Sequence, residues 1–268
     1  MTTSKLTSED IRERSRAVRT KLAGGTLPTP QPGSGMQLTP GFGDIVQELW
    51  YGGMWARPEL DVPYRCLATV AALTALGRPA QLRGHTANAL RSGITPAQVL
   101  EVMVHLSFYA GVPASLGGIE VAREVFKQRP EWEAAAPKEL AAPRPASMDE
   151  RRRKAAEMRR TLFGAQPASS VPAAQELAPE FIDTVYAYLF GEVYHRPGLD
   201  LKQRAVCTLS ILTVISKEAQ LRVHVRAALN VGLTRQEIVE VLCHTTAYGG
   251  LPAALNALGI AKAVFDAG

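Results

Sequence analysis

The sequence predicts an all-α fold made of two tandem copies of one helical domain. The hexapeptide AQLRGH at 80–85 returns as AQLRVH at 219–224, and the same shift of 139 residues aligns the chain without a gap from about Pro40 to Phe126. An ungapped match of this length indicates internal duplication. No stretch shows the alternation of apolar and polar residues that is typical of a half-buried strand.

The duplication divides the chain into three predicted segments. A diverged first domain spans 1–126, and a more complete second domain spans 148–268. Residues 127–147 between them are rich in proline, alanine and charge, a composition typical of a linker. Because the period is far longer than that of a solenoid unit, we expect each copy to be a small domain rather than a stacking repeat.

Each copy is expected to open with a polar helix. Thr7 and Asp10 stand at capping-box spacing in the first copy, as do Ser147 and Glu150 in the second. A loop rich in proline, glycine and serine follows. Then comes an aromatic helix, FGDIVQELWYGGMW or FIDTVYAYLFGEVY, which must end at the Arg-Pro pair just beyond it.

Four further helices complete each copy. The first, over 65–76 and 204–215, is almost wholly apolar and must be buried on all sides. The second carries the hexapeptide and ends at a glycine, the third begins at a threonine N-cap, and the last opens at a proline. These positions are Gly93, Thr95 and Pro113 in the first copy and Gly232, Thr234 and Pro252 in the second.

Composition and charge argue against several classes of protein. The 46% hydrophobic content supports a packed core, and much of the formal charge of +5 comes from the arginine-rich segment 151–160. Without interleaved aromatic residues or a recognisable module, this segment indicates a solvated helix face and no nucleic-acid partner. The polar N-terminus lacks a signal peptide, and the longest apolar run, at 206–216, is too short to span a bilayer. We therefore expect a soluble, cytoplasmic protein with no membrane partner.

The cysteines give no sign of a disulfide or metal site. Cys66, Cys207 and Cys243 form neither a CxxC pair nor a zinc-ligand spacing. They are interpreted as small buried residues of a reduced compartment, and no metal is expected.

The hexapeptide places one histidine in each copy on the apolar side of its helix. His224 lies three residues after Leu221 and four before Ala228, and His85 repeats this placement in the first copy. The functional interpretation is a catalytic imidazole on a pocket wall. The alternative is a structural histidine whose hydrogen bonds are made within the core, which is the more common case for a single residue.

The next helix carries a second constellation in each copy. Glu101, His105 and Tyr109 are spaced i, i+4 and i+8, and Glu240, His244 and Tyr248 match them. One helix face would hold all three, with the carboxylate in reach of the imidazole and a phenol beside it. The alternative is a half-buried helix face whose polar groups bind to nearby residues.

A third feature differs between the copies. Glu192 ends the aromatic helix of the second copy, where the first copy has Gly53. Flanked by Phe190 and Tyr194, this carboxyl is expected to have a raised pKa and to serve as an acid or base. Only the second copy, or a composite site that uses Glu192, is then expected to be active.

These residues carry a family resemblance. The stretch from FGEVYHRPGLD to GIAKAVF in the second copy resembles the carboxymuconolactone decarboxylase family, and the first copy, from YGGMWARPELD to AREVF, resembles it less closely. The resemblance implies the all-α domain of the alkylhydroperoxidase D-like superfamily and a homo-oligomer, a trimer or dimer of tandem chains. It also implies cofactor-free loss of CO2 from a carboxylated muconolactone in the breakdown of aromatic acids.

The resemblance also implies which residues act. The glutamate and histidine of the family map onto Glu192 and His224, and His85 is the histidine of the first copy. A related branch uses a CxxC pair ahead of this histidine, but those positions hold Arg78 and Gln81 here, or Lys217 and Gln220 in the second copy. Without a thiol pair, no disulfide redox cycle is expected.

The expected chemistry needs no cofactor, because a lactone carbonyl or conjugated enone in the substrate can accept the electrons that decarboxylation leaves behind. His224 or Glu192 is the expected proton donor, with His85 as the third catalytic candidate. Arg204 and Arg222 are expected to hold a carboxylate or enolate oxygen, unless each instead makes a salt bridge. The remaining pocket residues are expected to be His105, Tyr109, His244 and Tyr248.

Two other functions fit the same residues. The protein could be a biosynthetic tailoring enzyme that closes, isomerises or opens a ring of a polycyclic or polyketide intermediate. It could also be a small-molecule binding protein that has lost turnover.

Overall fold

A computed structural model describes residues 6–27, 38–139, 144–164 and 172–267. Every regular element in these ranges is helical and none is a strand, which confirms the all-α prediction. Most of the two proline- and glycine-rich loops predicted before the aromatic helices lies outside the described residues.

The first repeat begins with α1 (Ser8–Leu22) and α2 (Phe42–Ile45), followed by a π-helix (Val46–Trp55). Four longer helices complete it: α3 (Val62–Ala75), α4 (Pro79–Arg91), α5 (Pro96–Leu106) and α6 (Val112–Phe126). Within the predicted linker lies α7 (Pro130–Glu139), and the Trp132 side chain of this helix packs against the core of the first repeat. The predicted linker is therefore partly helical.

The second repeat begins with α8 (Met148–Phe163), α9 (Pro172–Leu177) and α10 (Pro179–Gly191), and a short 3-10 helix (Val193–His195) follows. It continues with α11 (Leu201–Val214), α12 (Glu218–Asn230) and α13 (Arg235–His244). The last two helices are α14 (Thr246–Gly249) and α15 (Leu251–Asp266). None of the helices in the described ranges is long and apolar enough to cross a bilayer.

The predicted helix starts are confirmed by their hydrogen bonds. Thr7, Thr95 and Thr234 each form a complete capping box with the residue three positions on. At Ser147 only the hydroxyl half forms, because Glu150 accepts from the backbone N–H of Ala146 instead. Local sequence thus fixes where most of these helices begin.

The apolar helices α3 and α11 pack against each other at the centre of the molecule. The core of the first repeat includes Cys207 and Ile211 of α11, and the core of the second includes Leu60 and Ala68 of the first repeat. The two repeats therefore share their hydrophobic core across the duplication, although each was expected to be a small domain.

Tight glycine contacts bring the opening helix of each repeat against its aromatic helix. A Cβ on Gly52 would lie 2.3 Å from the carbonyl oxygen of Ile11, and a Cβ on Gly191 would lie 2.1 Å from that of Arg151. Any side chain at either position would push the two helices apart. These contacts fix α1 and α8 over the sites described below.

Two of the three cysteines are buried as the sequence predicts, and the third is only half-buried. Cys66 and Cys207 are buried, Cys243 is half-buried, and all three are free. Burial raises the pKa of the Cys66 and Cys207 thiols to about 12, so both are protonated and unreactive at neutral pH.

Candidate active site

Two ion-pair networks join the repeats in the interior. Glu240 of α13 is fully buried and accepts hydrogen bonds from Arg57, at 2.6 Å, and from Arg65, at 3.0 Å. Burial tends to raise the pKa of Glu240, but the two arginines outweigh it and the pKa is lowered. Glu240 is therefore a carboxylate that holds two guanidinium groups of the other repeat.

The second network is the counterpart of the first. Glu101 of α5 accepts from Arg196, at 3.0 Å, and from Arg204, at 3.1 Å. The prediction that these glutamates orient the histidines of their own helix was wrong, since a charged guanidinium is the stronger partner for a buried carboxylate. Arg204, a predicted substrate ligand, is completely buried in this network and makes the salt bridge that was its alternative.

The helix histidines instead begin hydrogen-bond chains that cross between the repeats. His244 Nε2 lies 2.8 Å from Oγ1 of Thr69, and the Thr69 hydroxyl donates to the phenol oxygen of Tyr248 at 2.9 Å. Because the single Thr69 proton is used there, His244 Nε2 must be the donor of the first bond. Burial holds the pKa of His244 well below its usual range, so this imidazole is neutral.

The other repeat has a related chain. His105 Nε2 lies 2.7 Å from Oγ1 of Thr208, and the phenol oxygens of Tyr109 and Tyr194 are 2.9 Å apart. Burial also holds the pKa of His105 well below its usual range and raises that of Tyr109. The two histidines of the helix motifs are therefore buried and the two tyrosines half-buried, and each repeat completes the chain of the other.

A cavity of about 400 Å³ opens beside His85. The indole of Trp55 stacks on the imidazole with ring centroids 5.9 Å apart, and Tyr248 meets the same imidazole edge-on at 5.8 Å. Arg78 and Gln81 are exposed and also line the cavity. Since Tyr248 belongs to the second repeat, the structure brings two predicted site residues, His85 and Tyr248, together across the duplication.

The imidazole of His85 is neutral in this position. Burial lowers the pKa of His85 to about 4. Nδ1 is buried, and no described residue forms a hydrogen bond with it. Burial likewise raises the pKa of Tyr248, so the phenol is protonated across the neutral range. The cavity wall thus offers a neutral imidazole and a protonated phenol.

The π-helix supplies the aromatic wall of this cavity. The N–H of Ala56 donates to the carbonyl of Tyr51 at 3.0 Å, five residues back. This wider turn places residues four and five apart on one face, so Val46, Trp50, Tyr51 and Trp55 all line the cavity. The sequence predicts an aromatic helix here, but its π geometry and its cavity face were missed.

The surroundings of His224 are different. Its imidazole meets Tyr109 and Phe163 edge-on, each at 5.6 Å between ring centroids, and Phe163 also packs against Phe190 at 5.7 Å. Counted from the two N-cap residues of α1 and α8, Phe163 corresponds to Ala23. Burial lowers the pKa of His224 to about 4. Aromatic rings therefore pack edge-on against the half-buried imidazole of the second repeat.

Glu192 has two arginine partners. Its carboxylate accepts from Arg144 at 2.6 Å and from Arg151 at 2.7 Å, and its side chain is 11% exposed. Partial burial tends to raise the pKa of Glu192, but the arginines prevail and the pKa is lowered, opposite to the predicted shift. Among the described hydrogen bonds none joins Glu192 to His224. Arg222, the other predicted ligand, lies exposed on α12.

Two cavity residues were missed as functional candidates. Arg78 was noted only because it replaces a cysteine of the related branch, although that position opens the histidine helix and lines the cavity. Trp55 was noted only within an aromatic helix, and nothing in its local pattern indicates that it stacks on His85. The position of Arg78 is the one signal that could have been used.

Comparison with known proteins agrees with this architecture. The sequence pattern described as the carboxymuconolactone decarboxylase family matches residues 40–124 and again 179–263. The chain belongs to this family. A 4-carboxymuconolactone decarboxylase of Acinetobacter baylyi is 31% identical over 118 residues, which are 44% of this chain and 88% of that enzyme. A nitrosuccinic acid decarboxylase of Metarhizium robertsii is 36% identical over 76 residues, 28% of this chain and 53% of that enzyme.

A solved structure shares the whole tandem arrangement. The protein of Burkholderia xenovorans LB400, provisionally designated a gamma-carboxymuconolactone decarboxylase subunit, is 26% identical and has a TM-score of 0.56. The alignment covers 96% of this chain and 98% of that one. At the level of the carboxymuconolactone decarboxylase family, the chain is therefore decarboxylase-like.

The family match covers only part of each site. The π-helix, His85 and Tyr248 all lie within the two matched ranges of this carboxymuconolactone decarboxylase family member. Helix α1 with the following Ala23, and α8 with Phe163, lie outside both ranges. The difference between Ala23 and Phe163 therefore lies outside the matched ranges.

Proposed function

We propose that the protein is a cofactor-independent decarboxylase that acts on a carboxylated cyclic small molecule in the cavity beside His85. The observation that carries this proposal is one cavity holding a neutral imidazole from the first repeat, a protonated phenol from the second and Arg78. The two named relatives support the reaction type, since both are decarboxylases. The active centre is thereby assigned to the first repeat, and not to His224 with Glu192.

Loss of CO2 leaves an electron pair on carbon, which a neighbouring carbonyl of the substrate accepts to form an enolate. The protein must hold the carboxylate in place, stabilise the enolate oxygen and supply a proton to carbon. Arg78 is the cation in the cavity lining and can bind two oxygens of a carboxylate at once. The apolar wall around it weakens the solvation of the leaving carboxylate.

Tyr248 is the proposed proton donor. Its oxygen accepts from Thr69, so its own O–H is free to point at a bound substrate. A neutral imidazole is a much weaker acid than a phenol, and His85 therefore donates a hydrogen bond to the enolate oxygen without losing its proton. When the Tyr248 proton moves to carbon, the phenolate that remains takes a proton from solvent as the product leaves.

The direct test is incubation of the full chain with 4-carboxymuconolactone while CO2 release and lactone absorbance are followed. We expect His85→Gln to lower the rate at least 100-fold and the matched variant His224→Gln to keep most of it. If His224→Gln abolishes the rate and His85→Gln does not, the assignment to the first repeat is wrong. Tight ligand uptake without product, equal in both variants, would instead favour a binding protein.

A further inference from the structure

A second cavity adjoins the first. It measures about 270 Å³ and shares Val46 and Tyr51 with the His85 cavity, so these two side chains form the boundary between the chambers. The far wall comes from α1 and the residues after it, through Arg19, Ala23 and Leu27. Those residues precede the family match, which begins at residue 40. The far wall of the second chamber therefore lies outside the range of the family match.

The charges in the two chambers have one sign. Arg78 lines the first chamber and Arg19 lines the second, and no described residue lining either of them is a carboxylate. Arg19 donates to Oε1 of Gln47 at 2.7 Å through one nitrogen, which leaves its other N–H groups for a ligand. Asn88 is at the same wall, and its amide oxygen accepts from Arg91, so its NH2 group is also available.

A row of aromatic rings runs between the two arginines. The guanidinium of Arg19 lies 5.8 Å from the ring centroid of Tyr51. Tyr51 stacks on Trp55 at 6.3 Å and an interplanar angle of 24°, and Trp55 stacks on His85 at 5.9 Å and 10°. Because these rings stack on one another, the row gives the cavity a continuous apolar surface between the two arginines.

We propose that the two chambers bind one elongated substrate. Its apolar body lies along the row of Tyr51, Trp55 and His85, the reacting carboxylate is at Arg78, and a second anionic group is at Arg19. This inference rests on the proposed function only for the assignment of the His85 cavity as the substrate site. The combined space suits a molecule larger than a single ring, because pockets of several hundred Å³ bind drug-sized ligands.

The second repeat does not repeat this arrangement. The counterpart of Arg19, counted from the helix N-caps, is Arg159, whose guanidinium lies 4.7 Å from the ring centroid of Tyr186. Phe163 occupies the place of Ala23 and packs edge-on against His224. A cavity of about 230 Å³ does lie beside Arg159 and Tyr186, but its described lining includes the carboxylate of Asp183 and does not include His224.

The test compares two probe acids on the full chain by isothermal titration calorimetry. We expect biphenyl-4,4′-dicarboxylate to bind about tenfold more tightly than biphenyl-4-carboxylate, the effect of one charge-assisted hydrogen-bonded pair. Arg19→Gln should remove this gain. Arg16→Gln, an exposed arginine of the same helix, should keep it. Equal affinities in the unaltered protein, failure of both acids to bind, or a gain that survives Arg19→Gln would overturn the proposal.

Two more variants separate this inference from the proposed function. Ala23→Phe should weaken the dicarboxylate and not the monocarboxylate, because it fills the second chamber without changing charge. Arg78→Gln should weaken both acids alike. If Arg78→Gln leaves monocarboxylate binding unchanged, the result counts against the proposed function. The further inference is tested separately, by whether the gain in affinity of the dicarboxylate over the monocarboxylate depends on Arg19.

Discussion

The phenol oxygen of Tyr248 lies 2.9 Å from Oγ1 of Thr69, although the two residues belong to different repeats. The imidazole that this phenol meets, His85, belongs to the first repeat as well. Neither copy alone can therefore assemble the site. Duplication within one chain keeps both halves of each composite site together and allows the two sites to diverge separately.

The first prediction concerns the proton donor. Tyr248→Phe should lower kcat for CO2 release about 100-fold with little change in KM, because the proton is needed only in the transition state. Steady-state kinetics with 4-carboxymuconolactone, or with whichever substrate proves active, measure this. The matched control is Tyr109→Phe, the same change in the other repeat, which should leave kcat within about twofold. Equal losses in both variants would indicate a structural role for the two tyrosines.

The second prediction is a loss of stability in mild acid. Burial lowers the pKa of His85 and His224 to about 4, whereas an unfolded histidine titrates near 6.5. Between these values the unfolded chain binds protons that the folded chain does not, so the free energy of unfolding must fall as pH falls from about 6.5 towards 4. Urea unfolding at pH 7, 6 and 5 measures this slope.

Single variants can show which histidine causes this dependence of the free energy of unfolding on pH. His224→Gln should reduce the slope by the equivalent of up to one bound proton. Gln128→Ala changes an exposed side chain that does not titrate and should leave it unchanged. A slope that is the same in all three proteins would show that the imidazole of His224 titrates normally in the folded state.

The helices could be predicted from sequence much better than the site. The continuous apolar runs predicted the bounds of α3 and α11 to within a few residues, and the threonine N-caps predicted the starts of α5 and α13. Such features depend on neighbours along the chain. The π geometry of Val46–Trp55 has no such local signal, since the aligned helix α10 makes the same glycine contact and is an ordinary α-helix.

The partners of the buried charged groups could not be predicted from the sequence, because they come from segments that are distant along the chain. Glu101 is four residues from His105 on one helix, yet its partners are Arg196 and Arg204, which the packing of the two repeats brings close. Spacing along one helix says which side chains share a face. It does not say which groups from another helix compete for them, and here a guanidinium outcompetes an imidazole.

The third prediction follows from the buried networks. Glu240→Gln should lower the free energy of unfolding by about 3 kcal/mol, because it leaves the buried Arg65 without its charged partner. Glu124→Gln removes a carboxylate from the exposed pair with Arg83 and should have little effect. Urea denaturation of the two variants decides the point. If both change stability equally, the buried network contributes no more than a surface pair.

The fourth prediction concerns association. Val112 and Leu116 on α6 are 57% and 58% exposed, and their counterparts Leu251 and Leu255 on α15 are each 57% exposed. The same exposed apolar pair in both repeats suits contact with a second copy of the chain. Light scattering should show an oligomer that Leu116→Asp with Leu255→Asp reduces in size. Leu177→Asp, at a position that is 84% exposed, is the control and should keep the oligomer.

The last prediction is that the surroundings of His224 can be opened further. Phe163→Ala removes a ring that lies 5.6 Å from His224, at the place where the first repeat has only an alanine. It should cost about 2 kcal/mol of stability, less than a fully buried phenylalanine, and leave a space beside the imidazole. Neutral imidazole reacts with diethyl pyrocarbonate, so labelling of His224 mapped by mass spectrometry should rise well above that of the unaltered protein. Phe181→Ala, which removes a ring that is 63% exposed, should not change the labelling. If His224 stays as unreactive without Phe163 as with it, then another part of the second repeat closes the site.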